Sequence, residues 1–165
     1  MADQYFAVSE AITLATTQIF VLDVASTAGA RRMNLNEMGV SFNGTSSSAT
    51  PVLVRLVRTT TAPTANGTVT NLSTTVAGFQ AATPLDPAAP SSTMTAYAPG
   101  ASGWTTPPTF GVVLRSWYVP PTSGLVVQFP LGQEPDGPAT TGAGLGIHVI
   151  PPAAVTVNSY MIWTE

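Results

Sequence analysis

Short runs in which apolar and polar residues alternate recur along the whole chain, and clusters of Gly, Pro, Asn and Ser separate them. Alternation with a period of two is typical of a half-buried strand, because successive side chains of an extended chain point to opposite faces. Residues 51–60 show it most clearly, with Val52, Val54 and Leu56 on one face. The runs that predict strands are residues 4–9, 17–24, 32–42, 51–60, 92–97, 110–119, 125–129, 145–150 and 155–163, with a weak candidate at 69–73.

Helix is disfavoured throughout the chain. Val and Thr are abundant, and both lose side-chain freedom in a helix but fit a pleated sheet. The 14 Gly and 15 Pro residues leave few windows that are long enough for an ordinary helix. The pattern therefore predicts an all-β, single-domain antiparallel β-sandwich, jelly-roll-like, with about 8–10 strands and little or no helix.

Two details of the strand arrangement follow from the local pattern. The turn at residues 122–124 predicts that residues 110–119 and 125–129 form a hairpin-like pair. Strict alternation in the second predicted strand places Val21 and Leu22 on opposite faces of the sheet.

The domain organisation is simple. Residues 1–16 are predicted to form an N-terminal arm or a first strand, and residues 17–165 the β-sandwich domain. A long stretch rich in Thr, Ala and Pro, at about 61–92, interrupts that domain, and surface excursions of this length are often functional. We expect this excursion and residues 1–10 to contact neighbouring subunits. On that basis, deletion of residues 1–10 is expected to weaken the binding of the chain to those neighbours without unfolding the sandwich.

Charged side chains are scarce. Only 8% of the 165 residues are charged, as five basic residues, all of them Arg, and eight acidic residues. An ordinary soluble domain carries roughly 25% charged residues. Because the cores of protein interfaces are depleted of charged groups, we expect much of this surface to be covered by other subunits.

The same composition excludes several classes of function. The absence of Cys excludes a disulfide scaffold, a zinc ribbon and a thiol nucleophile, and the absence of Lys excludes a Walker A motif. A net charge of −3 with five scattered Arg residues argues against nucleic acid as a partner. No apolar run approaches the roughly 18 residues of a membrane span, which argues against a membrane partner. The N-terminal sequence lacks a signal-peptide pattern, so we expect synthesis in the host cytoplasm.

Candidate catalytic and metal-binding residues are few. His148 has the chemistry of a general base, but no G-x-S-x-G elbow accompanies it, and a structural histidine on a strand is the favoured interpretation. Glu134 and Asp136 have the oxygen ligands that Ca²⁺ prefers, although a solvated turn explains them more simply. We therefore predict a protein that is not an enzyme, with no catalytic, cofactor-binding or metal-binding residues and no cofactor.

The remaining candidates are interface residues, because Arg forms forked hydrogen bonds and large aromatic side chains anchor protein contacts. The candidates are Arg31, Arg32, Arg55, Arg58, Trp104, Trp117 and Tyr118. For the Arg31–Arg32 pair, a solvated strand start is an equally good interpretation. The aromatic residues of the chain could instead form a sugar-binding platform, although core and interface positions are favoured for them.

Several segments of the chain resemble a known class of proteins. They are RRM at 31–33, GVSFNGT at 39–45, PVLVRLVR at 51–58, PLDP at 84–87, SWYVPP at 116–121, QFPLGQEP at 128–135 and AAVTVNSYMIW at 153–163. In order and texture they resemble capsid decoration (cement) or minor head proteins of tailed phages of actinobacteria. That resemblance implies a β-sandwich, often trimeric, on the outer capsid surface at threefold or quasi-threefold positions. It carries no pattern of binding residues.

Two functions remain open. The first is a structural virion protein, a homotrimer, that binds the major capsid protein on the outer surface of an assembled capsid and stabilises it. The alternative is a carbohydrate- or receptor-binding β-sandwich of a phage head or tail fibre, which would need an exposed Trp or Tyr on one concave face.

Overall fold

The computed structural model of the chain describes residues 3–14, 19–27, 29, 31–44, 50–65, 80–100 and 102–165. Over these residues the structure is built from strands and has no helix. None of the described segments is therefore a helix of the length and hydropathy needed to cross a bilayer. The strands are β1 (Gln4–Leu14), β2 (Ile19–Ser26), β3 (Asn34–Phe42), β4 (Val52–Thr59), β5 (Thr64–Ala65), β6 (Gln80–Ala81), β7 (Thr83–Pro84), β8 (Met94–Tyr97), β9 (Trp104–Thr106), β10 (Phe110–Val119), β11 (Gly124–Gln128), β12 (Gly144–Ile150) and β13 (Val155–Thr164).

Two antiparallel sheets pack face to face, which confirms the predicted β-sandwich. The five-stranded sheet has the order β11-β3-β13-β1-β7, and the six-stranded sheet has the order β10-β4-β12-β2-β8-β6. The eight long strands thus form two four-stranded layers, β11-β3-β13-β1 and β10-β4-β12-β2, and most connections cross from one layer to the other. This is the strand order of a jelly roll. A separate two-stranded ribbon pairs β5 with β9.

The hydrophobic core lies between the two sheets. Strand β13 shows how it forms, because its residues alternate between buried and partly exposed along its whole length. Trp163 is fully buried on the inner face of β13, and its ring stacks on the Tyr5 ring of β1 at a centroid distance of 6.3 Å. Leu22 and Leu56 come from the opposite sheet and are fully buried in the same cluster. Burying one such side chain contributes roughly 1.5–3 kcal/mol.

A β-bulge in β2 changes which residues face the core. The pairing of β2 with β12 shifts register between Ile147 and His148, so Val21 and Leu22 both belong to the core cluster. The prediction that these two residues lie on opposite faces is therefore wrong. The carbonyl oxygen of Val21 accepts a hydrogen bond of 2.8 Å from the Ser9 hydroxyl, which joins the two sheets inside the core.

The predicted hairpin between residues 110–119 and 125–129 is also wrong. Strand β10 pairs with β4 at the end of the six-stranded sheet, whereas β11 pairs with β3 at the end of the five-stranded sheet. Pro120 and Pro121 lie between the two strands and have no backbone N–H to continue a ladder. The chain therefore passes from one sheet to the other, and β10 and β11 become edge strands on the same side of the sandwich.

The N-terminal segment is an integral part of the five-stranded sheet. Strand β1 lies between β13 and β7, and Tyr5 is fully buried. A deletion of residues 1–10 would remove that core residue and most of an interior strand. It would therefore disturb the fold itself, and a loss of binding could not be assigned to a lost contact. Within the excursion at 61–92, the structure describes the short strands β5, β6 and β7, and the weak candidate at 69–73 lies outside the described residues.

A roof covers part of the outer face of the six-stranded sheet. We use this name for residues 104–110, which comprise β9, Pro107, Pro108 and the first residue of β10. The Trp104 indole N–H donates a hydrogen bond of 2.9 Å to the backbone carbonyl of Phe20 on β2. The Phe110 ring contacts the His148 ring at a centroid distance of 5.3 Å. The roof therefore buries outer-face side chains that solvent would otherwise reach.

Replacing Trp163→Ala is expected to lower the free energy of unfolding by about 3–5 kcal/mol, because a large buried ring leaves a cavity that the sandwich fills incompletely. Urea denaturation followed by fluorescence measures the change. Tyr118→Ala is the control, because Tyr118 is 71% exposed and its loss should change stability by about 0.5 kcal/mol or less. Equal losses for the two variants would contradict the assignment of Trp163 to the core.

Candidate functional site

Exposed apolar side chains concentrate on one side of the sandwich. Within the described residues, every exposed large apolar side chain except Leu85 lies between residues 110 and 131. Strand β10 is mostly exposed along its length, and Leu131, just after β11, is 97% exposed. We call this surface the β10–β11 flank. Its exposed apolar residues are Phe110, Val112, Val113, Tyr118, Val126 and Leu131.

The flank is almost free of charge. Arg115 is the only charged residue between residues 110 and 131. Its guanidinium donates a hydrogen bond of 3.0 Å to the adjacent Leu114 carbonyl. Natural edge strands are commonly protected by charged side chains, above all Lys, and contiguous exposed apolar patches mark interaction sites. A long, nearly neutral edge strand with apolar side chains is therefore suited to contact with another protein surface.

The predicted interface residues of β10 differ in their exposure. Tyr118 projects from the flank into solvent, whereas Trp117 is partly buried and packs against the core. Tyr118 is thus available to a partner, whereas Trp117 packs β10 against the core. The sequence pattern, in which the two residues are adjacent, did not distinguish these roles.

Two of the predicted interface arginines have a partner within the chain. Arg32 forms an ion pair of 3.1 Å with the Asp136 carboxylate. Arg58 pairs with the other oxygen of the same carboxylate, and its Nε donates a hydrogen bond of 3.0 Å to the Asp136 carbonyl. Both guanidiniums therefore hold the segment that pairs with the start of β3 through the Asn34–Asp136 bridge.

This arrangement also bears on the calcium hypothesis. The carboxylate of Asp136 faces two guanidiniums, and that of Glu134 accepts a hydrogen bond of 2.6 Å from the Gly132 backbone. In the part of the chain that the structure describes, no group of three or more His, Cys, Asp or Glu side chains could hold a metal ion.

The other predicted interface residues lie apart from the flank. Arg31 is exposed before β3. Arg55 lies on β4 in register with His148 of β12, and Trp104 is held in the roof by its hydrogen bond to Phe20. The seven predicted residues therefore do not form one site, although Arg32 and Arg58 meet at Asp136, and Trp117 and Tyr118 are neighbours on β10.

His148 lies on β12 beneath the roof. Its ring packs against Phe20 and Phe110, at centroid distances of 4.8 Å and 5.3 Å. Burial, aided by the nearby positive charge of Arg55, lowers the pKa of His148 to about 4. Its Nδ1 atom is buried without a hydrogen-bond partner. The favoured interpretation of His148 as a structural strand histidine agrees with this packing.

Asp23 is a second buried titratable residue on the same face, and the sequence analysis did not single it out. It lies on β2 opposite Gly146, and its Oδ1 accepts a hydrogen bond of 2.9 Å from the Thr59 hydroxyl. Burial raises the pKa of Asp23 to about 8, and the hydrogen bond from Thr59 opposes that increase. Asp23 is therefore mostly a neutral acid at neutral pH. Alternation with Leu22 and Val24 places Asp23 on the outer face, but its complete burial there could not be read from the local sequence.

Comparison of the chain with protein-family models, with curated proteins and with solved structures finds no match.

Replacing Asp23→Asn is expected to raise stability relative to the native chain, increasingly so as pH rises from 4 to 8. Over that range the unfolded chain loses the Asp23 proton while the folded chain keeps it, so the native protein is destabilised as pH rises. The difference should widen by up to about 1.4 kcal/mol per pH unit. The pH dependence from His148, which destabilises the fold as pH falls from about 6.5 to 4, is common to both proteins and cancels.

Urea denaturation of both proteins at several pH values from 4 to 8 measures the difference. Asp86→Asn is the matched control, because Asp86 lies in an exposed turn. Stability curves that run parallel for the native chain and Asp23→Asn would show that the Asp23 proton is not retained in the fold.

Proposed function

We propose that the chain is a structural subunit that binds the outer surface of an assembled phage capsid and stabilises it, as a decoration protein. The observation that carries the proposal is the β10–β11 flank, where exposed apolar side chains lie along two edge strands with a single charged residue. Such a surface is costly to leave in water and suits a permanent protein contact.

The composition supports the same proposal. Surface charges normally keep a protein soluble, and this chain has only 8% charged residues. Fewer charges are needed if much of the surface is covered by other subunits in the assembled particle. Arg32 and Arg58 are paired with Asp136 within the chain, so the proposed contact does not rely on their charges. The partner contact would therefore be mainly apolar and would come from the flank.

The fold is compatible with this role. Jelly rolls occur in viral capsid proteins and in lectins, so the strand order is support by analogy only. The resemblance of the segments at 31–58 and 116–135 to phage decoration proteins points in the same direction. A net charge of −3 suits the outer capsid surface better than the surface that faces DNA.

Stabilisation would follow from linkage. A subunit that binds the assembled lattice but not its dissociated components lowers the free energy of the assembled state. A homotrimer would present three flanks to the lattice, and simultaneous contacts would convert weak individual affinities into avidity.

Electron microscopy of particles of the virus that encodes the chain tests the proposal directly. We expect density for this sandwich in many symmetry-related copies over the capsid surface, with β10 and β11 at the contact. A few copies at one vertex or on a fibre, or absence from the particle, would contradict the proposed function.

Combining Val112→Asp with Tyr118→Asp is expected to reduce occupancy on capsids by about tenfold or more, because two charges would be buried against an apolar partner. Both side chains are exposed in the isolated chain, at 61% and 71%, so its free energy of unfolding should change by about 0.5 kcal/mol or less per substitution. Occupancy is measured by quantitative mass spectrometry after the variant is added to particles that lack the native chain.

Leu85→Asp is the matched control, because Leu85 is an exposed apolar residue outside the flank. It should leave occupancy unchanged. Equal occupancy for the double variant and the control would rule out the flank as the contact.

A further inference from the structure

Among the residues that the structure describes, no counterpart of the roof covers the outer face of the five-stranded sheet, and the strand registers define the residues upon it. Its central row runs from Val126 on β11 through Gly39 on β3 and Tyr160 on β13 to Val8 on β1. On one side lies the row of Gln128, Glu37, Ile162 and Phe6, and on the other the row of Gly124, Ser41 and Asn158. An apolar and aromatic row is therefore flanked by two rows with polar side chains.

A groove of about 290 Å³ lies on this face. Its lining includes Val8, Glu10, Ser41, Val126, Asn158 and Tyr160. The floor is Gly39, because a Cβ atom at that position would lie 2.1 Å from Cε1 of Tyr160. The Tyr160 ring thus lies across the sheet backbone, where it is only partly buried. Ligand sites are commonly concave and largely apolar, with volumes of roughly 300–1,000 Å³, and this groove lies just below that range.

Hydrogen bonds hold the polar groups beside the Tyr160 ring. The Tyr160 hydroxyl donates to Oε1 of Glu37 at 2.5 Å, and the Gln128 amide donates to Oε2 at 2.8 Å. These two bonds lower the pKa of Glu37, so its carboxylate is ionised at neutral pH. Burial, together with the hydrogen bond and the charge of Glu37, raises the pKa of Tyr160 to about 12. The result is a neutral phenol ring beside an oriented carboxylate and amide.

The groove-lining Asn158 is hydrogen-bonded to the only non-glycine residue with positive φ among the described residues. Ala11 has a φ of 54° at the register shift of β1, a conformation that costs energy for a residue with a Cβ. Its backbone N–H donates a hydrogen bond of 2.7 Å to Oδ1 of Asn158. The bond orients the Asn158 amide beside the groove. Such backbone strain is often found where a structure positions groups for binding.

We propose that this groove binds one ring of a neutral saccharide. A sugar ring needs an aromatic surface for its C–H face and fixed planar donors and acceptors for its hydroxyls. Tyr160 supplies the aromatic surface, and Ser41 and Asn158 in the groove lining supply the polar groups. Glu37, itself held by Gln128, fixes the hydroxyl end of the ring. The carboxylates of Glu10 and Glu37 would repel an acidic sugar or a phosphate. The groove and the flank share Val126, but Tyr160 lies outside the flank, so a Tyr160 variant tests saccharide binding separately from the proposed capsid contact along β10 and β11.

Nuclear magnetic resonance titration of the isotopically labelled chain tests the proposal. The probes are methyl β-glucoside, methyl β-galactoside, N-acetylglucosamine and their β-linked disaccharides. Methyl β-glucuronide serves as the acidic counterpart of the glucoside. The peptide acetyl-Gly-Lys-Gly-amide tests whether the groove instead recognises a cation. We expect a neutral saccharide to shift the backbone signals of Gly39, Ser41 and Asn158, and the glucuronide to bind more weakly.

Tyr160→Ala should weaken saccharide binding by about tenfold or more. Tyr118→Ala is the matched control, because it removes an exposed tyrosine elsewhere on the sandwich and should leave saccharide binding unchanged. If Tyr160→Ala does not fold, Tyr160→Phe keeps the ring and loses the bond to Glu37, and it should weaken binding by a smaller factor.

Three results would overturn the proposal. They are the absence of binding by all the neutral saccharides, binding of the glucuronide or the lysine peptide alone, and equal affinities for the Tyr160 variants and Tyr118→Ala. Capsid occupancy of Tyr160→Ala distinguishes the two functions, because it should remain at the native level when saccharide binding is lost.

Discussion

The burial of two sheet faces against each other is the interaction on which the rest of the structure depends. Trp163, Tyr5 and Leu56 are fully buried between the sheets, and the alternation along strands such as β13 follows from that burial. The outer faces of the two sheets differ in how far they are covered. Residues 104–110 cover part of the six-stranded sheet, whereas the five-stranded sheet presents an open face on which Tyr160 lies.

The scarcity of charge has a more specific meaning in the structure than in the composition. Arg32 and Arg58 converge on Asp136, so two of the five cations stabilise a turn segment of the chain itself. The flank contains only Arg115. The two edge strands therefore share the low charge of the rest of the chain, although edge strands are where a protein normally places charges to prevent edge-to-edge association.

Local pattern predicted the strands well and their partners poorly. Residues 110–119 were predicted and observed as a strand with the same bounds, because side-chain alternation is a property of neighbouring residues. Pairing is long-range, so a turn signal at residues 122–124 suggested a hairpin where the chain in fact changes sheets. The bulge at Val21 and the burial of Asp23 also depend on the partner strand, and no local signal contains them.

The position of β13 has a consequence for how the chain reaches its native state. β13 is an interior strand of its sheet and separates β1 from β3, so Gln4 finds its register partner only in Thr164. β7 offers β1 only a two-residue partner, so most of the β1 ladder cannot form until β13 has been synthesised. A topology of such high contact order folds slowly and exposes strand edges meanwhile. The edge of β1 is thus the part of the chain most exposed to aggregation during synthesis.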